Sequence, residues 1–371
     1  MPFVQVDPAD RADLRRRLLA TRWPDAPEDA GWSLGTDLDH LREVVRDWAA
    51  FDLEAWSAGL ARLPRRTVRL DALDLHVVHA RAVPGAGPAL PLVLCHGWPD
   101  SSWRFETVVP LLTDPGAHGA DPADAFDVVV PDMPGFGWSQ RPPVPLDSVA
   151  VAGLWARLMT ALGYERFGAA GGDIGSHVSR YLALDHPDRV VAVHRTDAGV
   201  PVPVDPAALT PAERDWVAQA AAWGAAEGAY AAVHRTKPQS LAVGLTDSPA
   251  GLAAWLVEKL HAWSDPHGHG IGRDAVLDLL SRYWFTGTIG SSLRMDRANA
   301  AIPAEQHARR VEVPSGFSLF PGDLLRPPRA WLERTTRLVR VTEPARGGHF
   351  APVEEPELYA QELRDFFRPY R

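Results

Sequence analysis

The first clear strand signal lies in TVRLDALDLHVVHA (67–80), where apolar and polar positions alternate on either side of a turn and predict a β-hairpin. Four short apolar runs follow: PLVLCHG (91–97), FDVVVPD (126–132), RFGAAGGD (166–173) and RVVAVHR (189–195), separated by helix-length stretches. That spacing predicts successive βα units and a parallel sheet buried on both faces. After Thr196 the strand pattern stops for more than a hundred residues. Helix formers take over in PAERDWVAQAAAWGAAEGAYAAVH, GLAAWLVEKLHAW and RDAVLDLLSRYWF. Strands resume at VPSGFSLFPGD (313–323) and TRLVRVTE (336–343), and EPELYAQELRDFFRPY predicts a closing helix.

A helical block set between two strand-rich halves reads as a lid over the carboxyl edge of one sheet. Ahead of the hairpin, residues 12–60 carry apolar positions at helical spacing, interspersed with Trp23, Trp32, Trp48 and Trp56 and broken by prolines. The expected division is a leading segment over 1–62 packed on the core, a first half of the sheet domain over 63–197, a helical lid over 198–305 and a second half over 306–371. The expected fold class is α/β, with a mostly parallel, eight-stranded sheet.

Composition narrows the partners. The 371 residues are 46% hydrophobic, enough to bury a large core, and the net charge of −9 comes without any basic run, which argues against nucleic acid. No apolar stretch has the length of a membrane span, and the N-terminus lacks a signal-peptide pattern, so a cytoplasmic location is expected. Cys95 is the sole cysteine and sits in an apolar run, as a buried thiol would. Lysine fills only two of the 38 basic positions, Lys237 and Lys259, a bias typical of GC-rich bacterial coding. No cofactor or metal is called for, and association into a homodimer is left open.

The chemistry centres on GGDIGS (171–176), at the end of one predicted strand and the start of HVSRYLALDHPDR, a predicted helix. Small residues at 171 and 175 permit a sharp strand-to-helix turn that lifts the side chain of residue 173 above the sheet. HGWPDS (96–101) follows an earlier strand, so the backbone N–H groups of Trp98 and Ile174 are placed to form an oxyanion hole. GGHF (347–350) puts His349 after the last strand, where a loop histidine can act as general base, and FPGDLLRPP puts Asp323 at the end of the penultimate strand, where it can orient the imidazole. The order nucleophile, acid, histidine is that of α/β-hydrolases. Asp197, in RTDAG, is the rival for the acid; Asp132, in VPDMPGFGWS, reads as loop structure. HAWSDPHGHG, with His261, His267 and His269, lacks a metal-ligand spacing and reads as a solvated lid loop.

Residue 173 is aspartate where many hydrolases have serine. A serine that attacked a saturated carbon would form an ether; an aspartate forms an ester, which water activated by His349 can open. Displacement at sp³ carbon is therefore the expected reaction.

HGWPDS, PGFGWS, GGDIGS, TKPQSLAVGLTDSPAGLAAWLVEKLHAWSD and YWFTGTIGSSLR, with the leading LRRRLLATRWPD, resemble the microsomal-type epoxide hydrolases of the α/β-hydrolase superfamily over nearly the whole chain. The resemblance implies Asp173 as nucleophile, His349 as base, Asp323 as its partner, an N-terminal meander and a small-molecule epoxide substrate. It also implies two lid tyrosines that donate to the epoxide oxygen. Tyr230, six residues before the threonine of TKP, matches the first, but the second position is Asp296, in SSLRMD. A protonated Asp296 or a lid tryptophan is a conceivable replacement, and the departure hints at a bulky biosynthetic substrate. Asp296, Tyr283, Pro99 and Phe350 are candidates to line the pocket, with packing the first reading for Tyr283. The alternatives are a haloalkane dehalogenase, against which Ile174 stands where a halide-binding tryptophan is typical, and a non-catalytic ligand-binding relative.

Overall fold

The computed structural model describes residues 6–83, 89–199 and 204–371. Eight strands form one sheet: β1 (Arg65–Leu70), β2 (Leu73–Ala80), β3 (Leu90–Cys95), β4 (Phe126–Pro131), β5 (Phe167–Gly171), β6 (Val190–Arg195), β7 (Val311–Ser318) and β8 (Thr336–Thr342). Their order is β1-β2-β4-β3-β5-β6-β7-β8. The β1–β2 hairpin and the β2–β4 pair are antiparallel and every other pairing is parallel. The predicted strands are all present, and the alternation along them explains the apolar runs. Val93 and Cys95 enter one core layer with Val151, Trp155 and Val178, whereas Leu92 and Leu94 enter the other with Val108, Leu363 and Phe367. A strand clad on both sides has no polar face to alternate with.

Between β6 and β7 lie the helices Pro211–Glu227, Ala229–Thr236, Pro238–Asp247, Pro249–Ala262, Arg273–Thr286 and Ile289–Asn299. The first two divide a stretch that reads as one helix: the backbone breaks at Gly228, where a Cβ would lie 2.4 Å from the Gly224 carbonyl oxygen. Pro238 and Pro249 start their helices, a position where the missing N–H costs no hydrogen bond. The leading helices Pro8–Leu19, Leu38–Ala50 and Leu53–Gly59 are each capped by an aspartate, Asp7, Asp37 or Asp52. This segment attaches through the helical block. Trp48 Nε1 donates to Ser281 Oγ at 2.9 Å, Trp56 Nε1 to Asp278 Oδ1 at 2.6 Å, and Thr36 Oγ1 to the Ala254 carbonyl at 2.6 Å. Among the described residues no single helix is long and apolar enough to cross a membrane.

Candidate active site

Asp173 occupies the turn between β5 and the helix Ile174–Asp185, with φ 58° and ψ −133°, a conformation that an L-residue adopts only when its surroundings impose it. Glycines make the turn possible. A Cβ on Gly175 would lie 1.9 Å from the Cys95 carbonyl oxygen, and one on Gly171 would lie 2.4 Å from that of Gly175.

The Trp98 N–H donates to Asp173 Oδ1 at 2.8 Å, and the Ile174 N–H also bonds this carboxylate. His349 Nε2 is buried and stands 3.2 Å from Asp173 Oδ2. On the other side of the ring, His349 Nδ1 lies 2.8 Å from Asp323 Oδ1. Asp323 falls in the loop five residues past β7, not on the strand itself, and the same oxygen accepts the Leu324 N–H at 2.7 Å. The loop of His349 is held by the His349 N–H to the Trp263 carbonyl at 2.8 Å and by Arg104, which donates to the His349 carbonyl and pairs with Asp100 at 2.6 Å.

Burial alone would raise the Asp173 carboxyl, but the adjacent His349 and the two backbone N–H groups outweigh it and hold it at about 2. Burial alone would depress His349; the flanking Asp323 and Asp173 carboxylates reverse that and raise it to about 10. Both shifts favour the carboxylate–imidazolium form of the resting pair.

Asp197 is not the partner of the histidine. Its Oδ2 accepts the Asp173 N–H at 2.8 Å and its Oδ1 the Gly199 N–H at 2.9 Å. Asp132 is structural, as expected: it is wholly buried and binds His76 Nδ1 at 2.7 Å and the N–H groups of Ser102 and Trp138 at 2.6 and 3.0 Å.

Asp173, His349, Asp323, Trp98, Ile174, Tyr230 and Asp296 all line one cavity of about 360 Å³. The Tyr230 ring stacks on Trp98 at 5.7 Å with Lys259 Nζ 4.7 Å from its centroid, and its hydroxyl has no partner among the described residues. Burial raises this phenol, and the charges of Asp173 and Asp296 add to the effect.

Three pocket expectations need correction. Tyr283 does not line the cavity: it lies near the end of Arg273–Thr286, is 3% exposed, and points its hydroxyl at the Asp100 carbonyl, 3.4 Å away. Phe350 is wholly buried beneath the cavity, stacked with Trp263 at 6.2 Å. Pro99 is buried beside Trp98 and does not reach the cavity. The HAWSDPHGHG loop is also more than a solvated surface. Asp265 accepts the Gly347 N–H at 2.8 Å and its own N–H donates to Glu354 Oε2 at 2.8 Å, so the loop braces the turn that carries His349. The cavity residues His177, Trp223 and Asn299 carried no sequence signal, because each lies on a helix whose inward face is defined only by the fold.

The fold and the placement of Asp173, His349 and Asp323 define an α/β-hydrolase-fold protein. Residues 2–105 match the family described as "Epoxide hydrolase N terminus" and residues 91–240 match "alpha/beta hydrolase fold". A Stigmatella aurantiaca protein named "Putative epoxide hydrolase" is 40% identical over 100% of this chain and 85% of its own. Epoxide hydrolase 1 of Sus scrofa is 32% identical over 98% of this chain and 88% of its own. The solved Aspergillus niger epoxide hydrolase superposes with a TM-score of 0.87 at 28% identity, covering 99% of this chain and 95% of that one. The chain belongs to the epoxide hydrolase family.

Proposed function

We propose that this chain hydrolyses an epoxide to a vicinal diol through a covalent ester on Asp173. Asp173 Oδ2 attacks an oxirane carbon, the C–O bond of the ring breaks, and Tyr230 protonates the departing alkoxide, a stronger base than a phenolate. Oδ1 becomes the ester carbonyl. His349 then deprotonates a water, which adds to Cγ, and the charge that develops on Oδ1 falls to the N–H groups of Trp98 and Ile174. Collapse expels Oδ2 as an alkoxide that takes its proton from the His349 imidazolium, giving the diol, while the water oxygen stays in the carboxyl group and its remaining proton restores Tyr230. Asp323 holds the imidazole with Nδ1 as donor and stabilises imidazolium.

The observation that carries this reading is the split role of one carboxylate: Oδ1 is bound to Trp98 N at 2.8 Å, while Oδ2 lies 3.2 Å from His349 Nε2. The exchange of charge also supports it. Imidazolium is no base, but alkylation removes the Asp173 charge and with it part of what keeps His349 protonated. The base is thus released only once there is an ester to cleave. A cavity of about 360 Å³ falls within the size range of small-molecule sites.

Single turnover in ¹⁸O water with enzyme in excess tests the mechanism. The expected result is an unlabelled diol and one heavy oxygen in the peptide that contains Asp173. Label in the diol would mean direct attack by water and would overturn the covalent route.

A further inference from the structure

Part of the cavity wall, the arm on the helix Ile289–Asn299, is not used by the reaction proposed above. Asp296 stands there in place of a phenol, and its surroundings limit what it can do. Trp255 Nε1 donates to His234 Nε2 at 3.3 Å. An indole N–H can only donate, so that ring nitrogen is an acceptor and the proton of His234 lies on Nδ1, which points at Asp296 Oδ2 at 2.8 Å. Asp296 Oδ2 therefore accepts from a histidine that is itself wholly buried. Asp296 Oδ1 has no donor among the described residues. The nearby arginines do not supply one: Arg297 bonds the carbonyls of Arg235 and Thr236, and Arg294 bonds Gln239.

Asn299, one helical turn further on, lines the same arm. Its Oδ1 accepts from the Ser148 N–H at 2.8 Å and from Ser148 Oγ at 3.0 Å. A backbone N–H fixes which atom of the carboxamide faces it, and the NH₂ group is left without an acceptor among the described residues. The wall thus includes, one helical turn apart, a carboxylate oxygen and an amide donor, in a cavity also lined by Trp98, Trp223, Ile302 and Leu324 and by the polar His177, Arg235 and His307. One small group satisfies both at once: a hydroxyl, which donates to Asp296 and accepts from Asn299.

We infer that the site selects epoxy alcohols, with Asp296 and Asn299 as the residues that recognise the hydroxyl. The inference rests on the epoxide hydrolysis proposed above. It departs from a role for Asp296 as a second acid: with Oδ2 taken by the His234 Nδ1–H, the ionised group offers Oδ1 to the cavity as an acceptor.

The test compares 3-phenylglycidol with its O-methyl ether, which keeps the oxygen and the oxirane and lacks only the O–H. Wild-type kcat/KM is expected to favour the alcohol by about tenfold or more, since a site built around a hydroxyl discriminates strongly against an analogue that cannot bond it. In Asp296→Asn, which offers the cavity an amide donor in place of the carboxylate, that ratio is expected to fall to about twofold or less. Because the ratio is internal to one preparation, a loss of folded enzyme cancels. A wild-type ratio near one, a preference for the ether, or a ratio unchanged in Asp296→Asn overturns the inference, even where styrene oxide is hydrolysed normally. If neither these epoxides nor styrene oxide is turned over, the hydrolysis itself is wrong and the inference falls with it.

Discussion

The Asp197 carboxylate grips the backbone N–H of Asp173 at 2.8 Å, and so holds Asp173 by its main chain without touching its side chain. Asp173 has φ 58°, where a non-glycine residue pays roughly 1–3 kcal/mol of strain unless neighbours impose the conformation. Asp197→Ala would leave that N–H buried and unbonded, at about 1–3 kcal/mol. We expect a loss of stability of this size in urea unfolding, together with slower ester formation. The His349–Asp323 contact does not involve Asp197, so ester hydrolysis should slow far less than its formation. Equal slowing of both steps would show that Asp197 acts on the base after all.

Asp323→Asn separates the two chemical steps from the other side. The amide can present its NH₂ to His349 Nδ1, turning the donor at that nitrogen into an acceptor and placing the proton on Nε2, the nitrogen that must take one from water. Ester formation should survive, while hydrolysis falls by about 10²–10⁴-fold, the size seen when a triad carboxylate is neutralised. The alkylated Asp173 peptide should then accumulate and be visible by mass spectrometry. Rapid turnover without accumulation would exclude Asp323 as the orienting group.

The strands were legible because burial on both faces leaves an uninterrupted apolar run, and the GGDIGS turn was legible because only glycine fits at 171 and 175. The acid was ambiguous for a physical reason. Asp197 and Asp323 both follow strands at the same sheet edge, and only the geometry shows that one meets a backbone N–H and the other an imidazole. The link between His234 and Asp296 joins two helices 62 residues apart, a separation that no local pattern encodes. Tyr283 packs in the core, the first of its two readings; periodicity alone left the cavity open as the second, because a phenol on an amphipathic helix can serve either.

The charged pair gives the site a pH signature. Asp173 is held at about 2, below its ordinary 3.8, so its contribution to stability is complete above pH 3.8 and lost as pH falls through about 2. His349 is raised from 6.5 to about 10, so its contribution is complete below pH 6.5 and lost as pH rises through about 10. Once Asp173 is esterified its charge is gone, and His349 must move back toward its ordinary range. The rate of ester hydrolysis should therefore rise with pH around a midpoint lower than the imidazole titration of the free enzyme, followed by NMR. Coincident midpoints would mean that Asp173 is not what keeps the resting histidine protonated.

Gly97 measures how closely the loop after β3 approaches the nucleophile. A Cβ at this position would lie 2.3 Å from Asp173 Oδ1, inside any allowed contact. Gly97→Ala should displace the carboxylate from the Trp98 N–H and lower ester hydrolysis by about 10²-fold, the cost of losing one oxyanion donor. Far-ultraviolet circular dichroism should remain that of the wild type, because the clash falls on a side chain at the sheet edge. Activity within threefold of wild type would mean that the loop can move aside.

Tyr230 is the acid of the proposed ring opening. Its hydroxyl is free toward the cavity, and its ring is fixed between Trp98 and Lys259. Burial and the charges of Asp173 and Asp296 raise the phenol, so it stays protonated through the neutral range and gives its proton only to a strong base such as the alkoxide. Tyr230→Phe keeps the stacking and removes only the O–H. Ester formation should drop by about 10²–10⁴-fold, the usual contribution of a general acid, and the loss should be smaller for epoxides whose opened oxygen is less basic. The hydrolysis step, which involves His349 and water, should be unaffected once the ester exists. Undiminished ester formation in Tyr230→Phe would assign the proton to another donor and remove Tyr230 from the chemistry.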